Sequence, residues 1–323
     1  MRTGLLALVL CGLIAAPAAA QFKEDEPFEA KPGDAPVKQW KVGMAIAAEG
    51  SPFQRIVGTT TVPMDWPEQK VRVVEEDLSP GVSISYQNFE GTGRQMLVKV
   101  RSLGANEEAH AVLTFEIKRS LPPGPQQTAG LAIPDAKKLD RKLSVHLSPS
   151  PQIESNHPDV KKLAEQLTRS KTTAWEKVEA LYDWTRKHVE FKDNRGQTPK
   201  GTLETLNDEV GDCDEMCSVF IALCRALGVP ARMVRVPGHV FAEFCLVNAE
   251  GRPEWFPCQL AGTRGFGGIV DPRPILQKGD NILATDPQSH KKARFRFMPD
   301  SLAGLPAIPS GQLKLKLICE PAK

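Results

Sequence analysis

A cysteine and a histidine 26 residues apart could do chemistry in this chain: Cys213, within Gly211-Asp212-Cys213-Asp214-Glu215, and His239, within Pro237-Gly238-His239-Val240. A thiol is mostly protonated near neutral pH, and it becomes a nucleophile when a helix amino terminus, a base, or both favour the thiolate. Asp212 and Glu215 stand three apart, the spacing of a capping box with Asp212 as N-cap, which puts Cys213 at the first helical position. The positive end of a helix is worth roughly 0.3–1 kcal/mol to an anion held there. Asp212, Asp214 and Glu215 oppose it with three carboxylates, so a thiolate at Cys213 requires a nearby imidazolium. His239 is the predicted partner. A third group must then orient its ring, as in any cysteine or serine triad.

The elements that position this pair are legible around it. Met216, Val219, Phe220, Leu223 and Leu227 have helical spacing, and Gly228 with Pro230 supplies a left-handed cap and a stop. The helix therefore runs from about Cys213 to Leu227. Ala231 to Val236 reads as a strand, Pro237-Gly238 as a turn, and His239 to Val247 as a second, apolar strand. After the turn Asn248 to Gly251, a third strand starts at Glu254-Trp255-Phe256. Two helices lead in. Pro158 to Thr168 carries Val160, Leu163, Ala164 and Leu167 on one face; Thr173, with Glu176 at N3, caps a helix bearing Trp175, Val178, Leu181, Tyr182 and Thr185 and reaching His188.

These motifs in this order, with Gly228-Val229-Pro230-Ala231-Arg232 and Gly238-His239-Val240-Phe241-Ala242-Glu243-Phe244 between the helix and the tryptophan strand, resemble the transglutaminase-like superfamily over residues 160–272. The core of that superfamily is similar to papain-like cysteine proteases. The resemblance implies that Cys213 is the nucleophile and His239 the general base. The family's third member is an aspartate a few residues after the tryptophan, and here that place holds Gln259. A glutamine carbonyl can accept from the imidazole Nδ1 hydrogen and fix the tautomer, without offering a full negative charge. Asp271 is the alternative orienting residue. Trp184 lies on a helix that such cores also have, and its indole could donate to an oxyanion, although core packing is the commoner role of tryptophan. The Cys213 amide, at a helix amino terminus, is the better oxyanion donor.

Cys213, Cys217 and His239 also invite a metal reading. A structural zinc site normally shows two close ligand pairs, and here only one pair is close, so neither metal nor cofactor is expected. Of the other cysteines, Cys217 and Cys224 share the helix face of Cys213 and read as buried small hydrophobes. Cys245 and Cys258 lie on successive strands and could pair, and the state of Cys319 is open. His110, His146, His157, His188 and His290 have no partner at motif spacing.

The whole chain reads as α+β: a papain-like, transglutaminase-like core at 150–300, preceded by a β-sandwich at 39–149 and followed by a C-terminal strand and tail at 301–323. The sandwich rests on short alternating runs at 53–62, 69–75, 82–89, 95–103 and 109–119, parted by Pro and Gly. Leu121 to Pro134, with its Pro and Gly cluster, reads as either a long loop or an edge excursion. Residues 1–20, with Arg2, an apolar stretch and Ala18-Ala19-Ala20, read as a secretory signal, and 21–38 as a polar lead-in. The apolar stretch is too short to span a bilayer, so an exported chain, secreted or periplasmic, with no transmembrane segment once processed, is expected. A net charge of +2 argues against a bulk nucleic-acid role. His290 to Phe297 and Leu313 to Leu317 alternate basic and apolar residues, as half-solvated strands do, and the glycines of 262–268 suggest a loop at the cleft rim. The functional expectation is acyl transfer or hydrolysis at amide bonds of a protein or peptide substrate. The alternative is a transglutaminase-like scaffold without turnover; no residue pattern sets the oligomeric state.

Overall fold

The computed structural model describes residues 30–194, 198–286, 289 and 291–322. Residues 1–20, read as a signal, half of the polar lead-in and His290 lie outside the described residues. The fold is α+β. Its centre is the helix Cys213–Ala226, in which every residue from Glu215 to Arg225 is buried. Asp212 caps it as the spacing predicts, and both arms of the capping box with Glu215 are made. Gly228, at φ 81°, closes the other end in the left-handed region. Its amide bonds Arg225 O at 3.0 Å while the Val229 amide bonds Cys224 O at 3.0 Å, which satisfies two of the carbonyls at the helix end.

This helix packs on the strands Ala231–Val236 and His239–Val247, which form an antiparallel hairpin with Val236 opposite His239. Pro253–Gln259 continues the meander, pairing Cys258 with Ala242 and Trp255 with Cys245. Cys245 and Cys258 are both buried free thiols, so they do not form the disulfide their strands had suggested. The helices Pro158–Thr168 and Ala174–His188 cover the Cys213 helix from the other side, and the second starts at the expected Thr173–Glu176 capping box. Phe220, Phe244, Phe256, Tyr182 and Trp175 fill the space between. Burying one such ring contributes roughly 1.5–3 kcal/mol from apolar area alone.

The amino-terminal region forms two facing antiparallel sheets. One orders Gln312–Pro321, Val37–Glu49, Glu108–Arg119 and Gln69–Leu78; the other includes Ser301–Pro306, Phe53–Val62, Gly93–Leu103 and Val82–Phe89. The first strand, Val37–Glu49, goes beyond the predicted set. It turns Trp40, Val42, Met44, Ile46 and Ala48 into the core at period two. The carboxyl-terminal strands return to this region: Leu315 pairs with Ile46, and Ser301 with Thr59. The second sheet also runs on into the core, because the short strand Gln277–Lys278 pairs with Ala231–Val236 on one side and with Gly93 on the other. No described helix is long and apolar enough to cross a membrane.

Two expectations about loops are corrected. None of the glycines of 262–268 lines the cleft: Gly267 sits against the Trp175 ring and Gly268 against the Gly124 backbone, where close approach explains them, and Gly262 takes a left-handed φ of 82°. Lys292–Phe295 is a strand paired with Ile282–Thr285, but Arg296 just beyond it is buried and not part of a solvated face.

Candidate active site

Cys213 and His239 line one cleft of about 670 Å³, together with Asp212, Asp214, Arg235, Gly238 and the segment Arg294–Asp300. Helix geometry sets the cysteine side: Asp212 Oδ1 accepts from the Asp214 amide at 2.7 Å, and the Asp212 amide donates to Glu215 Oε2 at 2.8 Å. Glu215 is fixed in turn by Asn194 Nδ2 and the Lys200 amide, both at 3.0 Å. From beneath, the buried Arg296 guanidinium donates to Asp214 O and to Ser218 Oγ, tying the first turn to the cleft wall.

The electrostatics follow the predicted conflict. Burial first, then the Asp214 and Asp212 carboxylates, push the Cys213 thiol up to about 12, while backbone hydrogen bonds involving Val240 and Cys213 itself pull the other way. Burial and the neighbouring Glu215 raise Asp212 to about 7. Burial also raises Asp214, against the opposing fields of Arg296 and Arg235. Cys217 is fully buried one turn on, and its thiol donates to Val240 O at 3.7 Å.

The histidine side is built by strand ends. Gln259, the last residue of its strand, places its carboxamide Nε2 atom 2.7 Å from His239 Nε2. The contact expected at Nδ1 is thereby corrected to the opposite ring nitrogen. Gln259 Oε1 is buried with no hydrogen-bond partner among the described residues. Carboxamide oxygen and nitrogen are assigned from the hydrogen-bond network and exchange on a half-turn of the amide. With Oε1 facing the ring, Gln259 accepts from an Nε2 hydrogen and its buried oxygen is satisfied. An imidazolium needs that orientation, since both its nitrogens donate.

Asp271 is held elsewhere: its two oxygens take the Arg273 guanidinium at 2.8–3.2 Å and the Arg273 amide at 3.0 Å. Trp184 stacks on His188, ring centroids 4.4 Å apart, and packs against the core; it is not among the residues lining the cleft. Two residues that sequence reasoning left as core packing or passed over hold the orienting strand. Tyr182 Oη donates to Gln259 O at 2.7 Å and accepts from the Gly265 amide at 3.1 Å. Arg186, one turn later, donates to Gln259 O at 3.1 Å, Leu260 O at 2.7 Å and Gly262 O at 2.8 Å. Their i, i+4 spacing on a predicted helix was the available signal.

Asp212, Cys213 and Asp214 place one ligand atom each within 4.8 Å of one another. Asp212 is already engaged as the cap, and Cys217 and His239 do not join the cluster, so it is not the paired set of a structural zinc site.

Residues 161–259, which hold Cys213, His239 and Gln259, match the family model of the transglutaminase-like superfamily. Among solved structures, the chain resembles a candidate cysteine protease from Cytophaga hutchinsonii at 18% identity and a TM-score of 0.60, over 89% of this chain and 92% of that one. It also aligns with the periplasmic domain of TgpA from Pseudomonas aeruginosa at 13% identity and a TM-score of 0.34, over 68% of this chain and 87% of that one. No curated protein matches the sequence. The helix with cysteine at its amino end, the hairpin with histidine at its turn and the strand ending in Gln259 thus make up a transglutaminase-like domain within this α+β chain.

Proposed function

We propose that this chain is a cysteine-dependent acyl-transfer enzyme acting on amide bonds of protein or peptide substrates. One observation carries the reading: Cys213 at a capped helix start shares a cleft with His239, whose Nε2 meets the Gln259 carboxamide. His239 Nδ1 takes the thiol proton, and the thiolate attacks the substrate carbonyl. The oxyanion forms near the Cys213 amide, at the positive helix end. The imidazolium then returns the proton to the leaving amine, the C–N bond breaks, and a thioester remains on Cys213. Water resolves it in a hydrolase and a substrate amine in a crosslinking enzyme, with His239 again taking the proton. Gln259, through Oε1, keeps the ring in the productive tautomer and edge. The amino-terminal leader expected from the sequence fits an exported enzyme.

Iodoacetamide near neutral pH tests the nucleophile. Cys213 is expected to alkylate well ahead of the half-buried Cys319, and Cys213→Ala to lose the adduct and any turnover of peptide amides. The high thiol pKa set by burial and two carboxylates favours a second reading, a binding module without turnover. Labelling of Cys213 no faster than Cys319 would select it.

A further inference from the structure

We propose that Arg235 is a specificity-determining residue that receives a carboxylate of the peptide substrate inside the catalytic cleft; the inference rests on the acyl-transfer reading of Cys213. Arg235 sits one residue pair from the base, opposite Val240, while Val236 lies opposite His239. Its side chain lines the cleft and is 30% exposed. Phe297 fixes the guanidinium from one face, at 5.4 Å from the ring centroid. Its nearest carboxylate, Asp300, is 3.9 Å away, too far for a hydrogen bond. Asp300 Oδ1 takes the Thr61 amide at 3.3 Å, and Oδ2 faces Arg235 as an ion pair without a hydrogen bond. Arg235 thus makes no side-chain hydrogen bond among the described residues.

That sets it apart from the arginines around it. Arg232, on the same strand, bonds Glu243 at 2.7–2.8 Å and lies 3.8 Å from the Trp255 ring centroid. Arg296 is saturated by Asp214, Ser218 and Gln152, and Arg294, at the cleft edge, bonds Asn281 Oδ1 at 2.9 Å. A guanidinium carries five donors in a rigid fork, and leaving them unmet in a partly desolvated wall is unfavourable. The fork matches a carboxylate bidentately, and the cation–π contact with Phe297 restricts the side chain and so lowers the entropy that such a contact would otherwise cost. In a cleft where Asp212, Asp214 and Asp300 disfavour acidic groups, Arg235 is the feature that would reverse the preference locally. The carboxylate is either an acidic side chain or a chain terminus close to the scissile amide.

Two pairs of thiol-alkylating probes separate these sources. The α-amides of N-chloroacetyl-glutamate and N-chloroacetyl-glutamine differ only in a side-chain charge; N-chloroacetyl-glycine and its amide differ only in a terminal charge. Labelling of Cys213 in the full chain is followed by peptide mass mapping at low ionic strength. In at least one pair, Arg235→Gln is expected to lower the acidic-to-neutral rate ratio by about tenfold, with Arg235→Lys intermediate. Arg294→Gln, an equal charge change on the same cleft, is expected to move the ratio by less than about twofold. A ratio that does not respond to Arg235→Gln in either pair, or that falls as far in Arg294→Gln, overturns the assignment. Labelling of Cys213 by the neutral probes no faster than of Cys319 overturns the acyl-transfer reading, and the assignment falls with it.

Discussion

At the scale of single residues, the activity depends on how the charge around Cys213 is resolved. Burial and the Asp214 and Asp212 carboxylates hold the thiol near 12, so the proposed acyl transfer requires an ion pair with His239 and not an independently ionised thiolate. Replacing Asp212 by Asn keeps an equally good cap and removes one opposing charge. Because Asp212 is raised to about 7, it is protonated below that pH and charged above it. Asp212→Asn is therefore expected to raise iodoacetamide reactivity of Cys213 by about three- to tenfold at pH 8 and to change it little at pH 5.5, about 1 kcal/mol of charge repulsion relieved in the upper range only. A gain of equal size at both pH values would separate the effect from Asp212 ionisation. Gln259→Asp supplies the charge that glutamine withholds from the imidazolium, and it should increase labelling at pH 7, whereas Gln259→Ala should lower it. The positions of Cys213 at a capped helix start, His239 at a hairpin turn and Gln259 on the tryptophan strand were legible in the sequence, because a capping box, a turn glycine before the histidine and a tryptophan strand are local signals. Which imidazole nitrogen Gln259 meets was not, since ring orientation is set by packing between strand ends.

At the scale of elements, the helix Ala174–His188 does more than cover the core. Tyr182 and Arg186 grip the carbonyls at the end of the Gln259 strand, so the backbone of Gln259 is positioned by this helix. Tyr182→Phe removes a buried donor and leaves Gln259 O to Arg186 alone, at a cost of about 1–2 kcal/mol. It should reduce kcat on a peptide amide several-fold while the far-ultraviolet circular dichroism spectrum stays the same. Arg186→Met should act in the same direction, and the pair together should be less than additive because they share one acceptor. If neither variant moved kcat while both lowered the melting temperature, the grip would be structural only. Periodicity found both lead-in helices and the hairpin. It passed over Val37–Glu49, whose inward Trp40, Val42, Met44, Ile46 and Ala48 alternate as well as any predicted strand, because the run Ala45-Ile46-Ala47-Ala48 has weak strand propensity. Tertiary burial of one face overrode that propensity.

At the scale of the whole molecule, the sandwich and the transglutaminase-like domain share a sheet and a buried polar seam. No local pattern announces that residues 301–321 return to pair with the first two strands, because strand partners far apart in sequence are chosen by the whole core. The seam is equally non-local. Gln69 bonds both backbone groups of Ile275, at 2.6 and 2.9 Å, and Lys278 bridges Glu243 of the histidine strand and Glu68 of the sandwich. Burial on its own would raise Glu243, but Lys278 and Arg232 outweigh it and hold the carboxyl at about 2 against an ordinary 4.5. A carboxyl held below its unfolded value contributes stability that is present above the unfolded pKa and lost as pH falls through the folded one. Lys278→Met strands Glu243 with Arg232 alone and should cost about 3–5 kcal/mol at pH 7, the usual penalty for breaking a buried pair. As its partner is lost, the Glu243 pKa climbs, so protonation relieves the variant at a pH where the wild type still keeps the carboxylate. Thermal melts of both proteins at pH 7 and pH 4 should therefore show a large gap in melting temperature at pH 7 that narrows at pH 4. A gap of the same size at both values would mean that Arg232 alone holds Glu243, and that Lys278 ties the two regions together through Glu68 without setting the charge of the histidine strand.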